Sequence, residues 1–252
     1  RRMRSPCMVR GVPGRFPKPV PGVARNPRRL MATCSADQPL KGLRYLLHAY
    51  ARLLERYPDL ELLLVSKPNP GGKTERLIQR LGIADKVRFV NGITTEQMVH
   101  YYAEAAIAVV PSVYEGFGLP AGEAMACGVP VVSTDGGALP EVVGDAGLIV
   151  PAKNVDALVD AIDKLLQDPQ LRDTLGARGR QRIQENFCWR VCARQMTAYY
   201  RQVLANENRL FPALAVKFRR SRTGPGLRRG PPRHQRLRRS ERALRRRGPV
   251  VQ

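Results

Sequence analysis

The sequence predicts an α/β fold, a doubly wound parallel sheet of the Rossmann-like kind with basic segments at both ends. Short apolar runs alternate with stretches of helical periodicity between positions 29 and 206. Several of these runs are apolar throughout, which is typical of parallel strands covered by helices on both faces. The formal net charge of the 252 residues is +22, yet positions 30–206 contain 19 basic and 19 acidic residues. The periodic part is therefore neutral, and it is the part expected to fold.

The predicted elements alternate regularly along this part of the chain. Strands are expected at 29–34, 60–66, 86–92, 106–112, 129–133 and 146–151. The helices between them are expected at 42–57, 73–81, 95–104, 119–127 and 138–143. Three further helices are expected at 154–167, 168–185 and 188–204, and Asp168 followed by Pro169 is a typical helix start. A helix after each strand provides the crossover that parallel pairing needs.

The chain is predicted to divide into three parts. Residues 1–28 form a basic, Pro-rich segment and residues 207–252 an Arg-rich one, both expected to be disordered, while 29–206 form the folded domain. Residues 1–29 and 207–252 together account for all of the net charge. We interpret these as solvated arms or as out-of-frame translation of GC-rich DNA. A nucleic-acid-binding arm is the less favoured alternative, because only Phe211 and Phe218 could stack on bases in the second segment.

The remaining composition argues against a membrane span and against a metal site. No run approaches the roughly 18 to 20 apolar residues that a span needs, and the N-terminus lacks the apolar stretch of a secretory signal. We expect a cytoplasmic protein, with a peripheral position at the inner membrane surface as an alternative. Cys188 and Cys192 lie one helical turn apart, but the three histidines are scattered, so no metal ligand set is predicted.

A loop between a predicted strand and helix, PNPGGKT at 68–74, invites comparison with a nucleotide-binding P-loop. A P-loop requires glycine five positions before Gly72, where this chain has Lys67. We therefore interpret the loop as an ordinary polar connection.

A second loop, at the start of EGFGLPAGEAMACGVPVVS (115–133), has the features of an anion site. Gly116 and Gly118 allow the backbone close to a ligand, and the following helix points free N–H groups at the loop. Glu115 and Glu123 would repel a phosphate but could accept hydrogen bonds from hydroxyl groups beside it. A diphosphate between two polyhydroxylated rings fits this layout. The alternative is that both acids simply stabilise the helix start.

These segments resemble the C-terminal, donor-binding half of retaining family 4 glycosyltransferases of GT-B architecture. The resemblance runs from about position 29 to 206. Its most specific part is the pair Glu115 and Glu123 within the segment just quoted, followed by GGALPEVVGDAGLIVP at 136–151. PLKG at 39–42 follows the same pattern.

The resemblance implies transfer of a hexosyl group from a nucleotide sugar, such as a UDP-, GDP- or ADP-hexose, with no cofactor. It implies that Lys41 contacts the donor diphosphate, Glu115 the transferred sugar and Glu123 the ribose hydroxyls. The other donor-binding residues that it implies are the loop Gly116, Phe117, Gly118 and Leu119, and the nucleobase loop Asn91, Gly92 and Ile93. From its position alone, Lys41 could equally be an exposed loop lysine.

Two further features bear on the reaction. The family usually has an arginine where this chain has Ser35, so one expected positive charge beside the diphosphate is absent. No Asp-x-Asp sequence is present, so a magnesium-dependent mechanism has no obvious ligands, whereas a lysine and a helix N-terminus could stabilise the leaving group.

The acceptor is the least determined partner. The residues before Arg29 are too few for a second Rossmann-like domain, so transfer to an unknown acceptor is expected to need a separate N-terminal acceptor domain. Two alternatives stay open: a non-catalytic GT-B fragment that keeps its fold, and a nucleic-acid-associated protein that binds through its basic terminal segments.

Overall fold

The computed structural model of the chain describes residues 22–210. Within this range, residues 22–197 form one compact unit and residues 198–210 belong to a second. Disorder was expected for 1–28 and 207–252, but the first strand begins at Asn26 and the last helix runs to Leu210. The remainder of the expected disorder, in 1–21 and 211–252, lies outside the described residues. The first strand begins at Asn26 rather than at 29. The earlier start is explained by Arg25, whose guanidinium donates to the carbonyl oxygens of Ala105 at 3.1 Å and Gly128 at 2.7 Å, tying this end of the strand to the sheet.

Six parallel strands form a single sheet. They are β1 Asn26–Thr33, β2 Glu61–Val65, β3 Val87–Val90, β4 Ala105–Val110, β5 Val131–Thr134 and β6 Leu148–Val150. Their order across the sheet is β3-β2-β1-β4-β5-β6. The predicted strands are all present, and the doubly wound parallel sheet is confirmed.

Eight α-helices connect the strands and complete the described chain. They are α1 Leu43–Arg56, α2 Lys73–Leu81, α3 Thr95–Glu104, α4 Leu119–Ala126, α5 Leu139–Val143, α6 Val155–Gln167, α7 Pro169–Asn186 and α8 Trp189–Leu210. Two 3-10 turns, Pro39–Lys41 and Ala84–Lys86, lie in the connections. The side chain of Asp168 accepts from the backbone N–H of Leu171 at 2.8 Å, which confirms it as the N-cap of α7.

The sheet separates two apolar cores. On one face, the side chains of α1 and α6 pack against alternate strand residues such as Leu30, Leu62 and Leu64. On the other face, α3, α4 and α5 cover the intervening residues, among them Met31 and Leu63. Each inner strand is therefore buried on both sides, as its uniformly apolar sequence predicts.

The strand order places a topological switch point in the middle of the sheet. From β1 the chain winds outward through β2 to β3, then returns to the centre at β4 and winds the other way to β6. The loops after β1 and β4 consequently diverge and leave a crevice at the carboxyl ends of these two strands. In open α/β sheets, ligands bind at this position.

Candidate functional site

The loop after β1 places Lys41 at this crevice. Lys41 ends the 3-10 turn Pro39–Lys41, and Gly42 follows with φ of 67°. A Cβ atom on Gly42 would lie 1.9 Å from the carbonyl oxygen of Pro111, so only glycine allows the two loops to approach this closely. The carbonyl of Leu40 also accepts from the backbone N–H of Val113 at 2.8 Å. Backbone contacts thus fix Lys41 against the loop after β4.

Glu115 meets Lys41 across the crevice. The Nζ atom of Lys41 donates to Oε1 of Glu115 at 2.7 Å, and Oγ of Ser112 donates to the same oxygen at 2.9 Å. Glu115 is only 7% exposed, whereas the Lys41 side chain is one-third exposed. The structure therefore brings together the two residues assigned to the diphosphate and the sugar, although they are 74 positions apart in the sequence.

The cysteine at the end of β1 lies close to this pair. Burial raises the pKa of the Cys34 thiol to about 12, an effect that the charge of Lys41 opposes and that of Glu115 reinforces. Cys34 is consequently a neutral thiol at physiological pH, and we assign it no chemistry.

Helix α4 begins beside the Lys41–Glu115 pair. Its N-cap is Gly118, with φ of 94° and no side-chain hydrogen bond to the first turn. Pro120 in this turn has no N–H, but the remaining backbone N–H groups are available to an anion. The loop residue Gly116 is exposed, and a Cβ atom there would meet nothing within 4 Å. Leu119 is 42% exposed, so this side of the loop is open.

Phe117, between these glycines, has a different environment. Its ring is half-buried and packs edge-on against Phe187, with ring centroids 6.2 Å apart. The side chain thus anchors the loop, and only the backbone of Phe117 is positioned to follow a ligand.

Glu123 lies one turn into α4 and is partly buried next to Tyr102. Burial raises the pKa of its carboxyl group, and a hydrogen bond from the Tyr102 hydroxyl partly opposes the increase. The same hydroxyl lies 3.2 Å from Oγ1 of Thr33 at the end of β1. Glu123 is therefore held on the α3 side of the crevice, in a place where ionisation is less favourable than in water.

The predicted nucleobase loop lies farther along the same edge of the sheet. Asn91 and Gly92 are exposed and Ile93 is half-buried directly after β3. Since β3 is three strands from β4, the carboxyl ends of these two strands are about 15 Å apart at the usual spacing of strands. The structure describes no hydrogen bond from these residues to Lys41 or Glu115, so only an elongated ligand could contact all three places.

Sequence reasoning missed the residues that support Glu115. The backbone of Glu115 forms an isolated parallel bridge with Gly137, and its carbonyl oxygen accepts from the N–H of Ala138 at 2.9 Å. Gly137 has φ of 65°, and a Cβ atom on it would lie 2.2 Å from this oxygen. The sequence shows that Gly136 and Gly137 follow β5 and that Ser112 ends the predicted strand 106–112. It does not show that either place contacts Glu115.

The loop at 68–74 is occupied by a carboxylate of the protein itself. Asp37 accepts from the backbone N–H groups of Asn69 at 2.8 Å and Thr74 at 3.0 Å. These hydrogen bonds, that of Asn69 first, hold the pKa of Asp37 below its ordinary value. Because the negative charge at the start of α2 comes from Asp37, the geometry agrees with a polar connection rather than a P-loop.

The described residues contain neither a membrane-spanning helix nor a cluster of metal-binding side chains. None of the helices within 22–210 combines the length and the apolar content needed to cross a membrane. Over the same part of the chain, no three His, Cys, Asp or Glu side chains are grouped as a metal site would require.

Comparison with known proteins agrees with this geometry. Residues 21–182 match the family described as glycosyl transferases group 1. An MMP alpha-(1->4)-mannosyltransferase of Mycolicibacterium hassiacum is 46% identical over 200 residues, which are 77% of this chain and 47% of that protein. The chain spans about half the length of such curated relatives.

Solved structures show the same fold. Sucrose-phosphate synthase from Thermosynechococcus elongatus is 38% identical with a TM-score of 0.62, over 71% of this chain and 46% of that one. The C-terminal domain of a glycosyl transferase group 1 family protein from Francisella tularensis is 25% identical with a TM-score of 0.58, over 66% of this chain and 95% of that domain. With its six-stranded parallel sheet, its crevice and this family match, the chain belongs to the glycosyl transferases group 1 and has the Rossmann-like fold of a GT-B glycosyltransferase domain.

Proposed function

We propose that the chain binds a nucleotide-sugar donor and takes part in metal-independent transfer of its hexosyl group. The observation that carries this proposal is the contact between Lys41 and Glu115 at the switch point, beside the uncapped start of α4. It puts a cation, a helix N-terminus and a hydroxyl-accepting carboxylate next to one another. A sugar diphosphate is a ligand that needs all three.

Lys41 and α4 would stabilise the leaving group. When the bond to the sugar breaks, negative charge develops on the diphosphate, and preorganised donors facing that charge lower the barrier. The ammonium of Lys41 has three N–H donors and gives one to Glu115, so two remain for phosphate oxygens. Together with the N–H groups at the start of α4, they supply positive charge without a metal ion.

Glu115 and Glu123 would hold the two rings. Both hydrogen bonds to Glu115 go to Oε1, and Oε2 has no partner among residues 22–205. Oε2 would accept from a hydroxyl of the transferred sugar. Glu123, on the α3 side, would accept from the ribose hydroxyls, and Asn91 to Ile93 would contact the base. Retention at the anomeric carbon is proposed from the resemblance to family 4 enzymes alone.

The acceptor would be bound by a second domain. The Francisella domain that this chain matches over 95% of its length is described as a C-terminal domain, and the curated relatives are about twice as long as the matched region. We propose that the partner is an N-terminal acceptor domain that closes over the Lys41–Glu115 crevice. The matched mannosyltransferase makes mannose the first hexose to test.

Calorimetric titration of the full chain tests this assignment. Nucleoside diphosphates and the matching nucleotide sugars, with uridine, guanosine or adenosine as nucleoside, would be titrated into the wild type and two variants. We expect Glu123→Ala to weaken binding of the preferred nucleoside diphosphate about tenfold or more, because hydrogen bonds to a charged group contribute roughly 1.5–3 kcal/mol. We expect Glu115→Ala to leave the affinity for the nucleoside diphosphate unchanged. The same variant should reduce the additional affinity that the sugar provides.

Glu185→Ala is the matched control, because Glu185 is an exposed acid on α7 whose hydrogen bond is to a neighbour on the same helix. Equal losses in both variants for both ligands would contradict the division of roles. Failure of every nucleotide to bind the wild type would contradict the proposed function itself.

A further inference from the structure

A cleft between α1 and α2 is bordered by the loop 36–39 that leads to Lys41, but neither Lys41 nor Glu115 lines it. Its volume is about 440 Å³, and its apolar lining comes from Leu43, Leu47 and Leu77. Its lining also includes the polar residues Asp37, Gln38 and Thr74 and five basic side chains, which are Arg44 and His48 from α1 with Lys73, Arg76 and Arg80 from α2. The volume is within the range of small-molecule sites, about 300–1,000 Å³.

The positive charge of this cleft is not balanced by carboxylates. Among residues 22–205, Arg44, Lys73, Arg76 and Arg80 have no carboxylate within ion-pair distance. Arg52, farther along α1, pairs with Asp156 on α6. Arg76 and Arg80 stand one turn apart on α2, where like charges destabilise a helix. Four exposed cations without a carboxylate partner in this part of the chain therefore give the recess a positive potential.

The single acid that lines the cleft does not neutralise these cations. Asp37 accepts hydrogen bonds from the backbone N–H groups of Asn69 and Thr74, so its charge is directed at the start of α2. Its carboxylate is therefore engaged with the backbone, and it forms no ion pair with the arginines within the described part of the chain.

Helix orientation adds to the positive potential. Both α1 and α2 follow strands of one parallel sheet, so they run in the same direction, and the first residues of both helices, Leu43 and Lys73, line the cleft. The positive end of the α1 dipole thus faces the same recess as the basic side chains, whereas that of α2 is compensated by Asp37. The guanidinium of Arg44 is held over the ring of Tyr45, 4.4 Å from its centroid, so it is partly ordered in advance.

We propose that this cleft binds a small phosphorylated molecule. Arg76 and Arg80 from α2 and Arg44 from α1 would bind the phosphate dianion, since guanidinium groups match phosphate geometry. The carbon skeleton would lie on the leucine side chains. A recess between two helices suits a small molecule better than a membrane surface or a nucleic-acid backbone, which need a broad convex or extended face.

Titration with inorganic phosphate tests the proposal on the full 252-residue chain, with amide NMR shifts locating the site. We expect the largest shifts in the first turns of α1 and α2. The double variant Arg76→Gln/Arg80→Gln should bind phosphate at least tenfold more weakly than the wild type. The double variant Arg190→Gln/Arg194→Gln removes the same charge from exposed positions of α8 and should change the affinity less than twofold.

Equal weakening in both double variants, or none in either, would overturn the proposal, because phosphate would then respond only to overall charge or bind elsewhere. Loss of oligonucleotide binding in Arg76→Gln/Arg80→Gln without loss of phosphate binding would also overturn it. If this double variant has a lower Tm than the wild type, the single variant Arg80→Gln is used, with an expected weakening of threefold or more against Arg190→Gln.

Discussion

At the scale of single residues, the site depends on charges that compensate one another. Glu115 is buried, and an isolated carboxylate would be strongly disfavoured there. Lys41 and Ser112 satisfy one of its oxygens, so removal of either partner leaves a buried charge less well paired. The pair is thus formed before any ligand arrives, which is the condition for stabilising a charge that develops only during reaction.

Glu123 makes a pH-dependent contribution to stability that we expect to detect. Its pKa in the fold is raised above the ordinary 4.5 by burial, so the carboxyl favours the folded state below about pH 4.5 and this benefit is lost as pH rises through the raised pKa. Glu123→Gln should therefore have a higher Tm than the wild type at pH 7 and the same Tm at pH 4. Thermal unfolding followed by circular dichroism across this range measures the difference.

Glu96 provides a control of opposite sign. It lies in the first turn of α3, where hydrogen bonds from its own backbone N–H and from Thr94 lower its pKa. The stability it contributes is present at neutral pH and is lost on acidification, so Glu96→Gln should lower the Tm at pH 7. A rise of Tm in both variants would show that removal of any negative charge stabilises this chain, and would contradict the specific burial of Glu123.

At the scale of elements, close backbone approaches position Lys41 and Glu115. Gly42 lets the turn Pro39–Lys41 touch the end of β4, and Gly137 lets the loop after β5 support Glu115. In both cases a Cβ atom would overlap a carbonyl oxygen of the neighbouring loop. The loops that carry Lys41 and Glu115 therefore have little conformational freedom, even though they are not regular strands or helices.

Two glycines with the same backbone conformation allow the cost of backbone strain to be measured apart from the cost of steric overlap. Gly42 and Gly82 both have φ of 67°, but a Cβ atom on Gly82 meets nothing within 4 Å. We expect Gly82→Ala to reduce the free energy of unfolding by about 1 kcal/mol, the usual penalty of the left-handed conformation. Gly42→Ala should reduce it by about 3 kcal/mol or more, because the loops must also separate. Urea denaturation of both variants measures this, and equal losses would contradict the close approach.

Regular elements could be predicted from the sequence because their periodicity records which faces are buried. The predicted strands and helices agree with the structure except near their ends. The start of β1 was missed because Asn-Pro-Arg-Arg at 26–29 is polar, and its place in the sheet depends on Arg25 binding carbonyl groups some 80 and 103 positions away. Such contacts leave no local pattern in a sequence.

The site could be predicted only as a set of loops. The resemblance selected Lys41, Glu115 and Glu123, and the parallel topology places the loops that carry them at one edge. The hydrogen bond from Lys41 to Glu115 and the contact of Glu123 with Tyr102 depend on how the loops pack. The basic cleft could not be predicted because it also depends on how elements pack. Arg44 and Arg80 belong to different helices, and in the sequence each resembles an ordinary exposed arginine.

At the scale of the whole molecule, the N-terminal boundary of the domain has to be revised. Arg25 donates to carbonyl groups in two other segments, and Arg28 pairs with Asp59 at 3.2 Å. A chain trimmed to 29–210 loses these contacts and the start of β1, whereas one trimmed to 22–210 keeps them. We expect the shorter chain to melt roughly 4–8 °C lower, about 2 kcal/mol for a domain of this size.

Differential scanning calorimetry of the two trimmed chains and the Arg25→Ala variant of the longer one would measure this. The Arg25→Ala variant should account for a substantial part of the difference. Identical melting of the two trimmed chains would show that the fold begins at Arg29 after all.

The proposed division of labour between two domains predicts weak activity for the chain on its own. We expect the 252-residue chain to bind a nucleotide sugar but to transfer little of it, because correct placement of the acceptor can contribute roughly 7–11 kcal/mol to catalysis. Radiolabelled UDP-, GDP- and ADP-sugars would be followed into a cell-extract acceptor pool, with and without an N-terminal domain of a relative. Robust transfer without the added domain would contradict the two-domain proposal.

The switch point also determines when, during folding, a binding site can exist. Leu30 of β1 pairs with Ile107 of β4, 77 positions later, whereas the other strand pairs join neighbouring segments of the chain. Closing so long a loop is entropically the most demanding step in assembling the sheet. Because the crevice lies between these two strands, no partly assembled half of the sheet contains it. A nucleotide would therefore have nothing to bind until the central pair forms, and its effect on kinetics would be to slow unfolding rather than to accelerate folding.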